Sequence, residues 1–251
     1  MSATDLPPIK GFIKNTFIDW EGQIAAMLFL PHCNFRCSYC HARSLVVEPD
    51  TLPTVPISEV MEYLAENKGW IDGVVISGGE PTLHAGLEQL VLLLKSAGLK
   101  VKLDTNGTNP AVIQEFLARK LLDYIAMDIK APLDAQRYNE VTVADCSLQD
   151  VRKSIDLIMD SEIEYEFRTT VCPEFLDKED VADIASAIEG ADKYVLQPFR
   201  PVDCLDPSME DVEPYTREEL WRMAEVARQF VPSCTVRGEE PDEDSPILDT
   251  A

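Results

Sequence analysis

Three cysteines fall within eight residues in the stretch Cys33-Asn34-Phe35-Arg36-Cys37-Ser38-Tyr39-Cys40, directly after the apolar run Ala25-Ala26-Met27-Leu28-Phe29-Leu30. The run predicts a buried strand, so the thiols sit on the loop that leaves it and can converge on one metal centre. Electron-carrying iron–sulfur cubanes normally use four thiolates. Three protein ligands leave one iron open to a small molecule. The competing reading is zinc, completed by His32 or His41. Structural zinc usually joins two separated Cys/His pairs, and no second pair is found here.

Beyond this loop, strand and helix alternate. Ile57, Val60, Met61 and Leu64 stripe one helix face. Gly73-Val74-Val75-Ile76 reads as a strand opening into Ser77-Gly78-Gly79-Glu80-Pro81-Thr82. Leu87, Leu90, Val91 and Leu94 mark a helix stopped by Gly98. Further strands are predicted at 100–103, 124–127, 164–171 and 194–197, each followed by an amphipathic helix. Thr216 and Glu219 form a capping box for the last one. Six strand–helix units predict a parallel sheet with helices outside. They are too few for a closed eight-stranded barrel, so the fold class is an open, partial (β/α)6 barrel. One domain spans 1–236, with an N-terminal extension (1–24), a barrel core (25–200) and a C-terminal helical segment (201–236). The suggestive motifs all fall at strand C-termini, the edge where parallel α/β folds build their sites.

The Cys-x3-Cys-x2-Cys spacing, with an aromatic before the last cysteine, resembles the radical S-adenosylmethionine (SAM) enzymes. That resemblance implies a [4Fe-4S] cluster on Cys33, Cys37 and Cys40, with SAM on the open iron. The cluster's electron cleaves SAM to methionine and a 5′-deoxyadenosyl radical. Gly78-Gly79-Glu80-Pro81 is similar to the stretch with which these enzymes hold the amino group of SAM, and glycines let backbone carbonyls approach an ammonium closely. Tyr39 is implied to lie near the adenine.

Leu103-Asp104-Thr105-Asn106-Gly107 and Met127-Asp128-Ile129-Lys130 resemble stretches of activating enzymes for glycyl radical enzymes, such as the pyruvate formate-lyase activator. This implies SAM contacts from Asp104, Asp128, Ile129 and Lys130, and from Arg168 on the 164–171 strand. Asp104, Thr105, the Met127 carbonyl and Asp128 offer hard oxygen ligands for a monovalent cation beside SAM. Ordinary turn chemistry accounts for Asp, Asn and Gly at strand ends as well. Arg200 is a departure, standing in Gln197-Pro198-Phe199-Arg200 where the pyruvate formate-lyase activator has a His on the adenine side. His84 reads as a surface residue at a helix start.

Gly11-Phe12-Ile13-Lys14, Asp19-Trp20-Glu21-Gly22 and Phe29-Leu30-Pro31-His32-Cys33 resemble the opening of anaerobic ribonucleoside-triphosphate reductase activating proteins. The implied substrate is a glycine on a partner glycyl radical enzyme, here that reductase's large subunit, with ferredoxin or flavodoxin as electron donor. One alternative keeps the chemistry but acts on a purine or pterin precursor. A second is an electron-transfer module, which leaves Gly-Gly-Glu-Pro and Asp-x-Lys without a task.

Composition bounds these readings. In 251 residues, 22 Lys and Arg against 45 Asp and Glu give a net charge of −23. Such a surface repels polyanions and argues against nucleic acid. Part of the excess lies in an acidic tail, 237–251, whose composition is that of a solvated, disordered end. No apolar run approaches the ~20 residues of a membrane helix, and Met1 to Lys10 carries no apolar signal core. A cytoplasmic protein is expected. Cys146, Cys172, Cys204 and Cys234 are scattered singly, as buried thiols rather than a disulfide framework.

Overall fold

The computed structural model describes residues 6–238. The expected acidic tail lies outside them, apart from Arg237 and Gly238. Among the described residues eight strands form one sheet in sequence order. These are β1 (Gly11–Thr16), β2 (Ala25–Leu30), β3 (Gly73–Gly78), β4 (Lys100–Thr105), β5 (Tyr124–Asp128), β6 (Glu164–Val171), β7 (Tyr194–Pro198) and β8 (Cys234–Val236). Strand β1 runs antiparallel to β2, and every later pairing is parallel. The first and last strands do not pair, so the barrel is open, as expected.

The six anticipated strand–helix units are β2 to β7. Their helices are α2 (Ile57–Glu66), α3 (Leu87–Ser96), α4 (Pro110–Ala118), α6 (Leu148–Met159), α7 (Lys178–Ala187) and α8 (Arg217–Ala227). Two short helices were not anticipated: α1 (Arg43–Val47), after the cysteine loop, and α5 (Ala135–Thr142), which Asp134 caps through the Gln136 and Arg137 amides. A seventh parallel strand, β8, extends the sheet from the segment read as helical. No helix among the described residues is long and apolar enough to cross a membrane.

Alternation along each strand sorts side chains between two environments. Ala26, Leu28, Leu30, Val74, Ile76, Val101, Leu103, Ile125, Phe167 and Leu196 join the helices in the main core. The intervening residues face the concave side. Toward its β2–β3 end this is apolar, with Ala25, Met27 and Val75 packed around Trp20 and Tyr124. From β4 onward charged side chains join it. Lys102 on β4 and Glu166 on β6 are 3.3 Å apart, with side chains only 2% and 4% exposed. The Lys102 ammonium also donates to the Asp19 carbonyl at 2.6 Å, tying the β1–β2 turn beneath the barrel. Arg237, just beyond β8, reaches the same Glu166 oxygen at 2.6 Å.

Burial opposes the Glu166 charge, yet Lys102, Arg237, Arg168 and Lys193 around it hold the carboxyl down at about 2. A depressed folded-state value means that this group's stabilisation is complete above its ordinary range near 4.5 and is lost as pH falls toward about 2. Removing one member of a buried pair strands the other. Glu166→Ala should therefore lower unfolding stability at pH 7 by about 3–5 kcal/mol and flatten the acid limb of the stability profile. Urea titrations between pH 7 and pH 3 measure both, and a loss below about 1 kcal/mol would contradict the assignment.

Candidate active site

The main cavity, about 1350 Å³, opens along the concave face. Cys33, Cys37, Tyr39 and Cys40 line it beside Gly78 and Gly79 from the β3 exit. Asp104, Asp128, Lys130, Arg168 and Arg200 come from the exits of β4 to β7. Nearly all the residues singled out in the sequence thus meet on one surface. Each leaves a parallel strand near its C-terminal end, and in-register pairing from β2 to β7 sets those ends side by side.

The cysteine loop is fixed by the β3 exit. Gly79 N donates to Leu30 O at 2.9 Å, and Glu80 N to His32 O at 2.7 Å. His84 Nε2 meets Pro31 O at 2.8 Å, so this histidine holds the loop's approach rather than standing free at the surface. The two glycines serve this contact. A Cβ on Gly79 would lie 1.8 Å from His32 O, and one on Gly78 2.2 Å from Leu30 O, with Gly78 at φ +121°. Their smallness is required by the main chain leading to Cys33, in addition to any ligand on their other side.

The Glu80 side chain is turned into the protein. Its carboxylate, 1% exposed, accepts from Thr82 N (3.0 Å), Thr82 Oγ1 (2.5 Å), Thr105 Oγ1 (2.8 Å) and Asn106 N (2.6 Å). That set fastens the β3 exit to the β4 exit and leaves the side chain occupied within the protein. Ile129 is corrected. Its side chain is fully buried in the helix-side core, its N–H donates to Arg168 O, and its carbonyl accepts from Thr169 Oγ1. It holds the β5–β6 exit and does not reach the cavity.

Arg168 is bound at both ends. Its Nε donates to Asp128 Oδ1 at 2.7 Å, and a terminal nitrogen meets Asp104 Oδ2 at 3.2 Å. The guanidinium thereby bridges the two carboxylates assigned to a monovalent cation, while Thr105 Oγ1 is turned to Glu80. Among the four oxygen donors named for a monovalent cation, Arg168 thus pairs with Asp104 Oδ2 and Asp128 Oδ1, while Asp104 Oδ1 has no protein partner. Lys130 Nζ pairs with the other Asp128 oxygen at 3.0 Å. Burial alone would raise the Asp128 carboxyl, but Arg168 and Lys130 hold it well below the ordinary range. Arg200 lies exposed on the rim, and its carbonyl accepts from His41 Nε2 at 2.7 Å.

The donor chemistry fits an iron–sulfur cluster carrying a polar ligand. Phe35 N points at Cys33 Sγ and Ala42 N at Cys40 Sγ, both at 3.4 Å. Burial raises the Cys33 thiol and pushes the Cys37 thiol up to about 12, so bound metal must displace their protons. No three His, Cys, Asp or Glu side chains among the described residues could hold a single metal ion. Three residues that line the cavity carry a buried polar atom with no protein partner: Tyr39 (Oη), Asp104 (Oδ1) and Trp221 (Nε1). The first two belong to residues already singled out in the sequence. Sequence reading did not single out Lys102, Glu166, Lys193 or Arg237, which shape the cavity floor. The alternating Lys-Val-Lys-Leu-Asp of β4 was the available signal for the first.

Comparison with known proteins agrees with the geometry. Residues 27–188 match the radical SAM superfamily profile. A Methanocaldococcus jannaschii protein named as a candidate glycyl-radical enzyme activating enzyme is 32% identical over 235 residues, 91% of this chain and 95% of that one. The pyruvate formate-lyase-activating enzyme of Clostridium pasteurianum is 25% identical over 236 residues, 85% and 94% of the two chains. Streptococcus suis SuiB, solved bound to S-adenosylmethionine, superposes with a TM-score of 0.65 at 14% identity. That match covers 84% of this chain and 52% of SuiB, and it speaks to the fold alone.

Because Gly79 packs on His32, Gly79→Ala should displace the cysteine loop as well as the cavity wall. The expected result after anaerobic reconstitution is a several-fold loss of bound iron, with far-ultraviolet circular dichroism unchanged. Full iron content in this variant would contradict the packing role.

Proposed function

The chain belongs to the radical SAM superfamily, in the company of its glycyl-radical enzyme activating members, and from that premise we propose that it is an activase for a glycyl radical enzyme. The observation that carries the reading is the convergence of the cysteine loop, the Gly78-Gly79 turn and the Asp128–Lys130–Arg168 group on one cavity at the strand ends. When bound, the cluster and SAM supply one-electron cleavage to methionine and a radical that takes a hydrogen atom from the partner's glycine.

The chain's own residues hold and orient. Cys33, Cys37 and Cys40 ligate the cluster. Tyr39, Asp104 and Lys130 would bind SAM, with the Lys130 ammonium offering charge-assisted hydrogen bonds to its carboxylate or ribose. Asp128, bracketed by Arg168 and Lys130, keeps that lysine charged and in place. The exposed rim beside Arg200 admits a peptide loop from outside. The opening motifs favour the anaerobic ribonucleoside-triphosphate reductase large subunit as partner, with ferredoxin or flavodoxin as reductant.

The test is isotopic. The reconstituted protein is incubated anaerobically with SAM, a reductant and the reductase carrying deuterium on glycine Cα. Deuterium should enter 5′-deoxyadenosine while the reductase gains a glycyl doublet in electron paramagnetic resonance. Faster SAM cleavage with a purine or pterin precursor, and no radical on any glycyl radical enzyme, would overturn the activase reading.

A further inference from the structure

Asn106 sits at the β4 exit, 5% exposed, and nothing above uses its side chain. Its orientation is fixed. Oδ1 accepts from both the Thr108 amide (3.1 Å) and the Thr108 hydroxyl (2.7 Å), so the NH2 must face the other way. There it donates to Asn34 Oδ1 at 2.8 Å and stands 4.0 Å from Cys33 Sγ. Asn34 is itself tied to Thr108 at 2.9 Å. The main chain beneath is held by Glu80 on Asn106 N and by Ser154 Oγ on Gly107 O. An amide anchored on three sides therefore presents one N–H to Asn34 and the other to the first cysteine.

We propose that Asn106 is a positioning residue that docks the cysteine loop on the β4 exit and aims its side-chain N–H at the Cys33 sulfur. The inference rests on Cys33 being a cluster ligand. As a thiol, Cys33 competes for Asn34 Oδ1 through its own S–H, at 4.0 Å. As a metal-bound thiolate it only accepts, so the Asn106 N–H and the Phe35 N–H become its two donors. A hydrogen bond to a ligating sulfur withdraws electron density and raises the cluster's potential. Cys37 and Cys40 have no comparable side-chain amide among the described residues. Asn106 thereby gives Cys33 a side-chain donor in addition to the backbone N–H groups directed at Cys33 and Cys40.

Reconstituted wild type, Asn106→Ala and Asn106→Asp separate this role from a purely structural one. Cluster content and midpoint potential are read by redox titration followed by electron paramagnetic resonance, without SAM. The midpoint should fall in Asn106→Ala and fall further in Asn106→Asp, which brings a negative charge to the sulfur. If Asn106→Ala holds no iron, Asn106→Asp decides. With the amide N–H replaced by a carboxylate oxygen its midpoint should fall, and an unchanged or raised value would overturn the proposal. Coincident midpoints in cluster-loaded wild type and both Asn106 variants would also overturn it. A wild type that takes up no [4Fe-4S] cluster would instead defeat the functional reading itself.

Discussion

The Glu80 carboxylate receives Thr82 and Thr105 on one oxygen and the Asn106 amide on the other, within a fully enclosed space. Its own main-chain N–H is bonded to His32 O, one residue before the first cysteine. Three pieces of chain that are distant in sequence are thus referred to one residue: the cysteine loop through its main-chain N–H, and the β3 and β4 exits through its side chain. Burial raises the Glu80 carboxyl and the hydrogen bonds from Thr82, Asn106 and Thr105 oppose that rise, so the buried group requires these partners to stay satisfied. That requirement makes the loop geometry part of the fold, ready before any cofactor arrives.

Below this junction the barrel interior carries two chained ion clusters. Arg168 joins Asp104 and Asp128, while Glu166 collects Lys102, Lys193 and Arg237. Buried pairs are weak sources of net stability but impose geometry, since each charge must find its partner. Here they set the height of Lys130 and Asp104 relative to the cysteine loop. They also fill the cavity floor with charge of both signs.

Much of this was legible in the sequence because two periodicities are strong. Apolar runs at 25–30 and 73–76, and striped helices between the strands, gave the order of the sheet. The alternation of Glu164 to Val171 marked a strand, but the polar face that Lys102, Asp104, Glu166 and Arg168 give the cavity was not read from it. Strand β8 escaped because three residues, Cys234-Thr235-Val236, are too few for a period to show, and α5 escaped because its polar composition gives a weak stripe. The cysteine and Gly-Gly-Glu-Pro motifs placed the site, but not the division of labour inside it. Motif spacing says which residues are near, not which way they point. Glu80, Ile129 and the Asp104–Asp128 pair are all near the cavity, yet their partners are Asn106, Thr169 and Arg168. Those contacts depend on strand register across the sheet, which one chain read linearly does not display.

The measurement that bears most directly on this account is the cluster spectrum of a Glu80→Gln variant, recorded by electron paramagnetic resonance before SAM is added. A glutamine can satisfy the Thr82 and Thr105 donors or the Asn106 amide, but its NH2 must oppose one of them. If Glu80 organises the loop, iron content falls several-fold or the cluster signal changes shape without SAM, while the barrel stays folded. If Glu80 instead acts by touching SAM, the variant keeps a wild-type cluster and signal and differs only when SAM is added. That second result would contradict the account.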